Sequence, residues 1–114
     1  MANLSQNLDA IFRALADPTR REVLALLERE PASVKTLAAR FDMALPSFLA
    51  HVKLLEEAGL IETEKVGRVR SCAIRSDGLR AAERWLRDRR RFIDERLDAL
   101  GDFLADETDG GDDT

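Results

Sequence analysis

"MALPSFLAHVKLLEEAGL", residues 43–60, decides the fold of this chain. Pro46 stands where a helix can begin, because the first N–H groups of a helix have no partner within it and proline lacks one anyway. Gly59 stands where a helix must stop, since the left-handed conformation that closes helices suits glycine. Between them Phe48, Val52 and Leu55 recur at helical spacing, with Ala58 completing the stripe, so a helix over 46–58 is predicted with that face buried. The outer face at its start carries Leu45, Ser47, Leu49 and Ala50, with His51 and Lys53 at the margins.

Working upstream, Ser33 is placed to cap a short helix, "VKTLAARF", with Val34, Leu37, Ala38 and Phe41 inward. Only "DMAL" separates it from the next helix, and two helices so close form a helix-turn-helix. Before them, "ADPTRREVLALLERE" opens with Asp17 as N-cap and Pro18 at the first helical position. Val23, Leu24 and Leu27 are its core face, and Pro31 ends it. Ser5 is expected to cap a first helix whose apolar face is Leu8, Ile11, Phe12 and Leu15.

Downstream, "LIETEKVGRVRSCAIR" reads as a hairpin with Gly67-Arg68 as a two-residue type II′ loop. That register pairs Val66 with Val69, Lys65 with Arg70, Thr63 with Cys72 and Ile61 with Ile74. The Ile pair marks the inner face. Like charges directly opposite, Lys65 and Arg70, oppose folding. Either a polyanion outside the protein neutralises both, or the two long side chains splay apart in water. Asp77 then caps a last helix over about 78–104, roughly 40 Å long at the standard rise. Leu79, Leu86, Ile93 and Leu100 recur every seventh residue, joined by Leu97 and Leu104 and flanked by Trp85, Phe92 and Phe103. So much apolar surface on one helix suggests a helix–helix dimer seam, with an intramolecular lid as the alternative.

Composition sets the outer bounds. With 114 residues the chain is expected to form one domain, residues 1–104, followed by an acidic disordered tail, 105–114. The net charge of −4 is misleading: the five acids of the tail account for it, and without them the balance is +1. Residues 33–75 carry seven Lys/Arg against five acids, which is compatible with nucleic-acid binding but only weakly indicative of it. No apolar run approaches membrane-spanning length and no signal-peptide pattern opens the chain, so a cytoplasmic protein without a membrane partner is expected. A single cysteine, Cys72, excludes an intramolecular disulfide framework. With one histidine, no Gly-rich phosphate loop and no nucleophile–base pair, no enzyme activity and no cofactor are expected.

"ALADPTRREVLALL", "LAARFDMALPSFLAHVKLLEEAGLI" and "GRVR" in a hairpin together resemble the ArsR/SmtB family of bacterial winged-helix repressors, from Ile11 to about Leu86. The resemblance implies a mainly α fold with a small β-hairpin, a winged helix-turn-helix that dimerises through its first and last helices. It implies an operator-bound repressor released by a signal. Metal-sensing members carry paired cysteines on the third helix or His and Asp ligands on the last; here "ASVKTLA" has no cysteine and the last helix no histidine. One His and one Cys cannot supply a tetrahedral nitrogen and sulfur site, so no metal is expected by those routes. Many relatives carry Gln at Leu45, Ser at Leu49 and Lys at Ala50, so three polar reading positions are apolar in this chain.

On this reading Leu49, Ala50 and Leu45 contact thymine methyl groups in the major groove. Ser47, Lys53 and Lys35 hold phosphates, and His51, which matches the family's histidine, either donates to a phosphate or base or packs beside Val52. Arg68 at the wing tip enters the minor groove, with Arg70 and Lys65 flanking it on the backbone of the DNA. The recognition helix 46–58 and the wing 60–75 thus meet a pseudo-palindromic double-stranded operator. The dimer interface is expected to use Leu8, Ile11, Phe12, Leu86, Ile93, Leu97, Leu100 and Leu104. "RWLRDRRRFIDER" is expected to be a solvated face with Arg84–Asp88, Arg91–Glu95 and Glu83–Arg87 pairs, while Arg89 and Arg90 lie near the seam and are open to an anionic effector or to the acidic tail of a second copy. Cys72 is expected to be a small buried residue of the inner hairpin face, not a redox sensor. Two alternatives stand beside the repressor: a protein-interaction module using the leucines of the fourth helix, and a repressor released by a small organic ligand or a protein effector.

Overall fold

The computed structural model describes the backbone of residues 4–112 and the side chains of residues 8–106. The chain divides into two compact units, one reaching Ala82 and one starting at Glu83.

The first unit runs α1 (Leu4–Leu15), α2 (Pro18–Arg29), β1 (Ala32–Ser33), α3 (Val34–Ala38), α4 (Leu45–Glu57), β2 (Ile61–Val66) and β3 (Val69–Ile74), and takes in the start of α5 (Asp77–Asp112). Asp17 caps α2 as predicted: its carboxylate accepts from the backbone N–H of Arg20 at 3.1 Å, with Pro18 in the first turn. Ser33 caps α3 in the same way, accepting from Thr36 N–H at 3.1 Å. α4 begins one residue before the predicted Pro46, at Leu45, because Ala44 is the last extended residue and Pro46 fits the first turn. Ala58 is its C-cap and Gly59 turns left-handed at φ +73°.

The core is built from the faces that periodicity marks. Val23, Phe48, Leu55, Leu60, Ile61 and Cys72 are wholly buried, with Ile11, Leu27, Leu37 and Val52 nearly so. Phe41 lies beyond the end of α3, which stops at Ala38, yet it still packs on Phe48 with ring centroids 5.4 Å apart. Burying a side chain such as Phe48 is worth roughly 1.5–3 kcal/mol.

The hairpin has the predicted register throughout, from Ile61 opposite Ile74 to Val66 opposite Val69. Gly67 has φ +63° and Arg68 does not share the positive φ, as a type II′ loop requires. The sheet has a third strand that the sequence reading lacks: β1 pairs antiparallel with β3, Ala32 opposite Cys72 and Ser33 opposite Ser71, giving the order β1-β3-β2. Two residues carry no alternation to detect; this strand exists only because β3 offers an edge.

Three further expectations need correction. Ser5 lies inside α1, which begins at Leu4, and is not its cap. Asp77 is the first residue of α5 and its carboxylate pairs with Arg75 at 2.9 Å. Ile11, expected at a dimer interface, is 1% exposed and belongs to the core of the unit, so it has no surface to offer a partner. Leu8 is half-buried and Phe12 is exposed.

In the second unit α5 continues past the predicted end near Leu104 to Asp112; the last two residues of the acidic stretch lie outside the described residues. Leu86, Ile93, Leu97, Leu100 and Leu104 are each about half exposed along this helix. The three predicted ion pairs do not form. Arg90 instead meets Asp94 at 3.3 Å, Arg89 lies over the Trp85 ring at 5.2 Å, and Arg96 over Phe92 at 5.1 Å. The side chains of the three predicted pairs are all exposed, and an exposed i, i+4 ion pair is worth too little to hold two long side chains in one geometry.

Candidate nucleic-acid interface

Strand alternation builds one side of the site. Ile61, Thr63 and Lys65 share a sheet face with Ile74, Cys72 and Arg70. Near the helices that face is buried, at Ile61 and Cys72; past the edge of the core the same face carries Lys65 and Arg70, both exposed. β1 builds the second side. By pairing with β3 it sets the start of α3, with Val34 and Lys35, against the base of the hairpin. The first turns of α4 supply the third.

A groove of about 610 Å³ results, lined by Lys35, Leu45, Leu49, Lys65, Arg68 and Arg70 together with Ser33, Val34, Ala38 and Val69. Four cations therefore border an apolar floor with no carboxylate among the lining residues. Leu45 is 54% exposed and Leu49 40%, so neither is satisfied by packing within the protomer. Six of the predicted DNA-contacting residues are brought together here. Ser47, Ala50 and Lys53 are exposed on α4 and do not line the groove. Lys53 stands 4.0 Å from Glu57, a loose exposed pair that a phosphate can displace.

His51 is set apart from this group. Its Nδ1 lies 2.9 Å from Nη1 of Arg20 on α2 and 3.8 Å from Asp17 Oδ2. Arg20 is the residue that sequence reasoning missed. It is 9% exposed, and its Nε and Nη2 donate to the carbonyls of Ala14 and Arg13, each at 2.8 Å. Those are among the last carbonyls of α1, which have no acceptor role inside that helix. Arg21 caps Leu15 O in the same way at 2.7 Å. The signal was present in the sequence: Arg20 stands three, four and seven residues before Val23, Leu24 and Leu27, on the stripe that is buried. Burial works to raise the Asp17 carboxyl, but the backbone N–H of Arg20 and nearby positive charge outweigh it and hold it below its ordinary value.

Cys72 is buried, and burial pushes its thiol above the ordinary value despite the nearby Arg70 cation. Such a thiol carries little of the thiolate that oxidation and metal binding need. Among the described residues no three His, Cys, Asp or Glu side chains converge in a way that holds a metal ion. Nor is any helix among them long and apolar enough to cross a membrane.

The helix-turn-helix domain family model matches residues 15–64, from the end of α1 into β2. The crystal structure of an ArsR family transcriptional regulator superposes with a TM-score of 0.77 at 51% sequence identity, over 82% of this chain and 97% of that one. The chain belongs to the ArsR family. It is a transcriptional regulator with the winged helix-turn-helix DNA-binding fold, a family of DNA-binding regulators and not of enzymes. Among curated relatives, the transcriptional repressor SdpR of Bacillus subtilis is 27% identical over 79 residues, 69% of this chain and 88% of SdpR. The solution structure of a homodimeric winged helix-turn-helix DNA-binding domain from Mycobacterium bovis, a possible ArsR-family regulator, has a TM-score of 0.60 at 26% identity, covering 82% of this chain and 84% of that one. In ArsR terms α3 and α4 are the helix-turn-helix of this regulator, and β2–β3 is its wing.

Proposed function

We propose that this ArsR-family chain is a homodimeric transcriptional repressor that binds a pseudo-palindromic double-stranded operator through α4 and the wing. The observation that carries the reading is the groove itself, where Lys35, Lys65, Arg68 and Arg70 border Leu45 and Leu49. A cationic rim engages phosphates whatever the sequence, and an apolar floor favours the thymine methyl group over the other base edges. Arg68 at the tip of the wing enters the minor groove, with Arg70 and Lys65 on the adjacent backbone. Ser47 and Lys53 hold phosphates, Ala50 faces the bases, and Lys35 completes the rim.

The exposed stripe Leu86, Ile93, Leu97, Leu100 and Leu104 on α5, with Leu8 and Phe12 of α1, supplies the dimer interface. A repressor role is supported by likeness to SdpR, and the homodimer by likeness to the Mycobacterium bovis domain. A dimer places its two α4 helices about one helical turn of DNA apart, or a multiple of it. The test is a gel-shift titration of a duplex from the protein's own promoter over a salt series. Binding that prefers this duplex to an unrelated one and weakens steeply with salt supports the proposal; equal, weak binding to both ends it.

A further inference from the structure

We infer that Arg20 is a positioning residue for DNA binding: it holds the imidazole of His51 as the Nε2–H tautomer and so presents a neutral donor to a phosphate of the duplex. The inference rests on the proposed DNA-binding face and adds to it a residue that never touches DNA.

The argument is one of donors and acceptors. A guanidinium has five N–H donors, no acceptor, and stays protonated in proteins. Nη1 of Arg20 lies 2.9 Å from His51 Nδ1, so Nδ1 must accept and carries no proton. In a neutral imidazole the proton then sits on Nε2. The guanidinium cannot turn away to relax this choice, because its Nε and Nη2 are committed to Ala14 O and Arg13 O, both at 2.8 Å. Asp17 Oδ2, at 3.8 Å from the same Nδ1, is beyond hydrogen-bond distance.

Nε2 is left for a partner outside the chain. It makes no hydrogen bond among the described residues, and no buried side-chain nitrogen or oxygen among them lacks one, so Nε2 is reached by solvent. His51 sits on the flank of α4 beside Val52, four residues after exposed Ser47, not at the centre of the outward face. The flanks of a helix lying in the major groove face its phosphate walls, whereas the centre faces base edges. Arg20 itself, 9% exposed, is withdrawn from any phosphate. A buried cation thus sets the chemistry of a surface donor.

His51 is the only histidine, so nitrogen-15 NMR of the free full-length protein at neutral pH reads its ring without assignment. Wild type is expected to show a protonated Nε2 and an unprotonated Nδ1, and Arg20→Lys a mixture of tautomers. A wild-type ring protonated on Nδ1, or one whose tautomer is unmoved in Arg20→Lys, overturns the positioning role. His51→Asn keeps an acceptor near Nδ1 for Arg20 but lacks the outer donor; His51→Gln offers a donor near Nε2. The first is expected to lose roughly three- to tenfold in affinity, equally on the promoter duplex and an unrelated one, and the second to recover part of it. Because the donor is neutral, the salt dependence of His51→Asn stays that of wild type. A reduced salt slope, a loss confined to one base pair, or no loss at all overturns the phosphate contact. A wild-type protein that binds neither duplex overturns the repressor reading with it, while the ring spectrum still decides what Arg20 does.

Discussion

The backbone N–H of Gly78 donates to the carbonyl of Gly59 at 3.1 Å, so the start of α5 rests on the left-handed turn that closes α4. A Cβ at Gly78 would stand 2.6 Å from Ala58 O and 3.1 Å from Gly59 O, both backbone atoms that cannot swing aside. At Gly59 there is room for a Cβ, whose nearest neighbour would be 3.7 Å away, and the constraint is the φ of +73°. Two glycines in one contact are required for different reasons.

Gly78→Ala is therefore expected to destabilise the protein by roughly 1–3 kcal/mol, as overpacking does, although alanine is the better helix former. Gly59→Ala should cost about 1–2 kcal/mol through the left-handed backbone alone. Urea denaturation of both variants checks this, and a stabilised Gly78→Ala would refute the close approach.

Asp17 makes stability depend on pH. Its carboxyl is held below its ordinary value in the folded protein, so its contribution is complete above the ordinary aspartate range and is lost as pH falls through the lowered folded value. Asp17→Ala should cost about 1 kcal/mol at neutral pH and less in acid. Asp17→Asn, which keeps a capping oxygen without the charge, should flatten the acid limb of the stability curve. Denaturation midpoints between neutral pH and the acid transition measure both.

Phosphate and base contacts on α4 and the wing separate by their salt dependence. Arg68→Ala and Lys53→Ala are each expected to weaken binding to every duplex and to lower the salt slope by about 0.9 for every phosphate left without its cation. Leu49→Ser should leave the slope unchanged and alter base preference at A·T positions. If Leu49→Ser changes neither affinity nor sequence ranking, the apolar floor does not read DNA.

The thiol of Cys72 should be inert in the folded state. A thiol reagent is expected to react only at the rate of unfolding, since the side chain is buried and its ionisation suppressed. Cys72→Ser should cost about 1–3 kcal/mol by burying a hydroxyl without a partner. Fast modification in native buffer would reopen a redox role.

Ile93→Glu places a charge in the middle of the α5 stripe. A monomer of unchanged helical content by sedimentation and circular dichroism is the expected outcome if this face is the dimer seam. A variant with the mass of wild type would remove the stripe from the interface.

Much of this architecture was legible in the residues themselves. Asp17-Pro18 and Ser33 announce helix starts because capping chemistry is local, and Gly59 and Gly67 announce turns because few residues adopt a positive φ. The hairpin register followed from Gly67-Arg68, since a two-residue loop admits one pairing. Core faces followed from periodicity, which is a property of the chain alone. What only the tertiary structure decided involves partners distant in sequence. β1 needs the edge of β3, Arg20 needs the end of α1 and the ring of His51, and Gly78 needs the carbonyls of Ala58 and Gly59. No local preference encodes these, because each is a spare hydrogen-bonding group or an unfilled space that another segment happens to meet when the core closes.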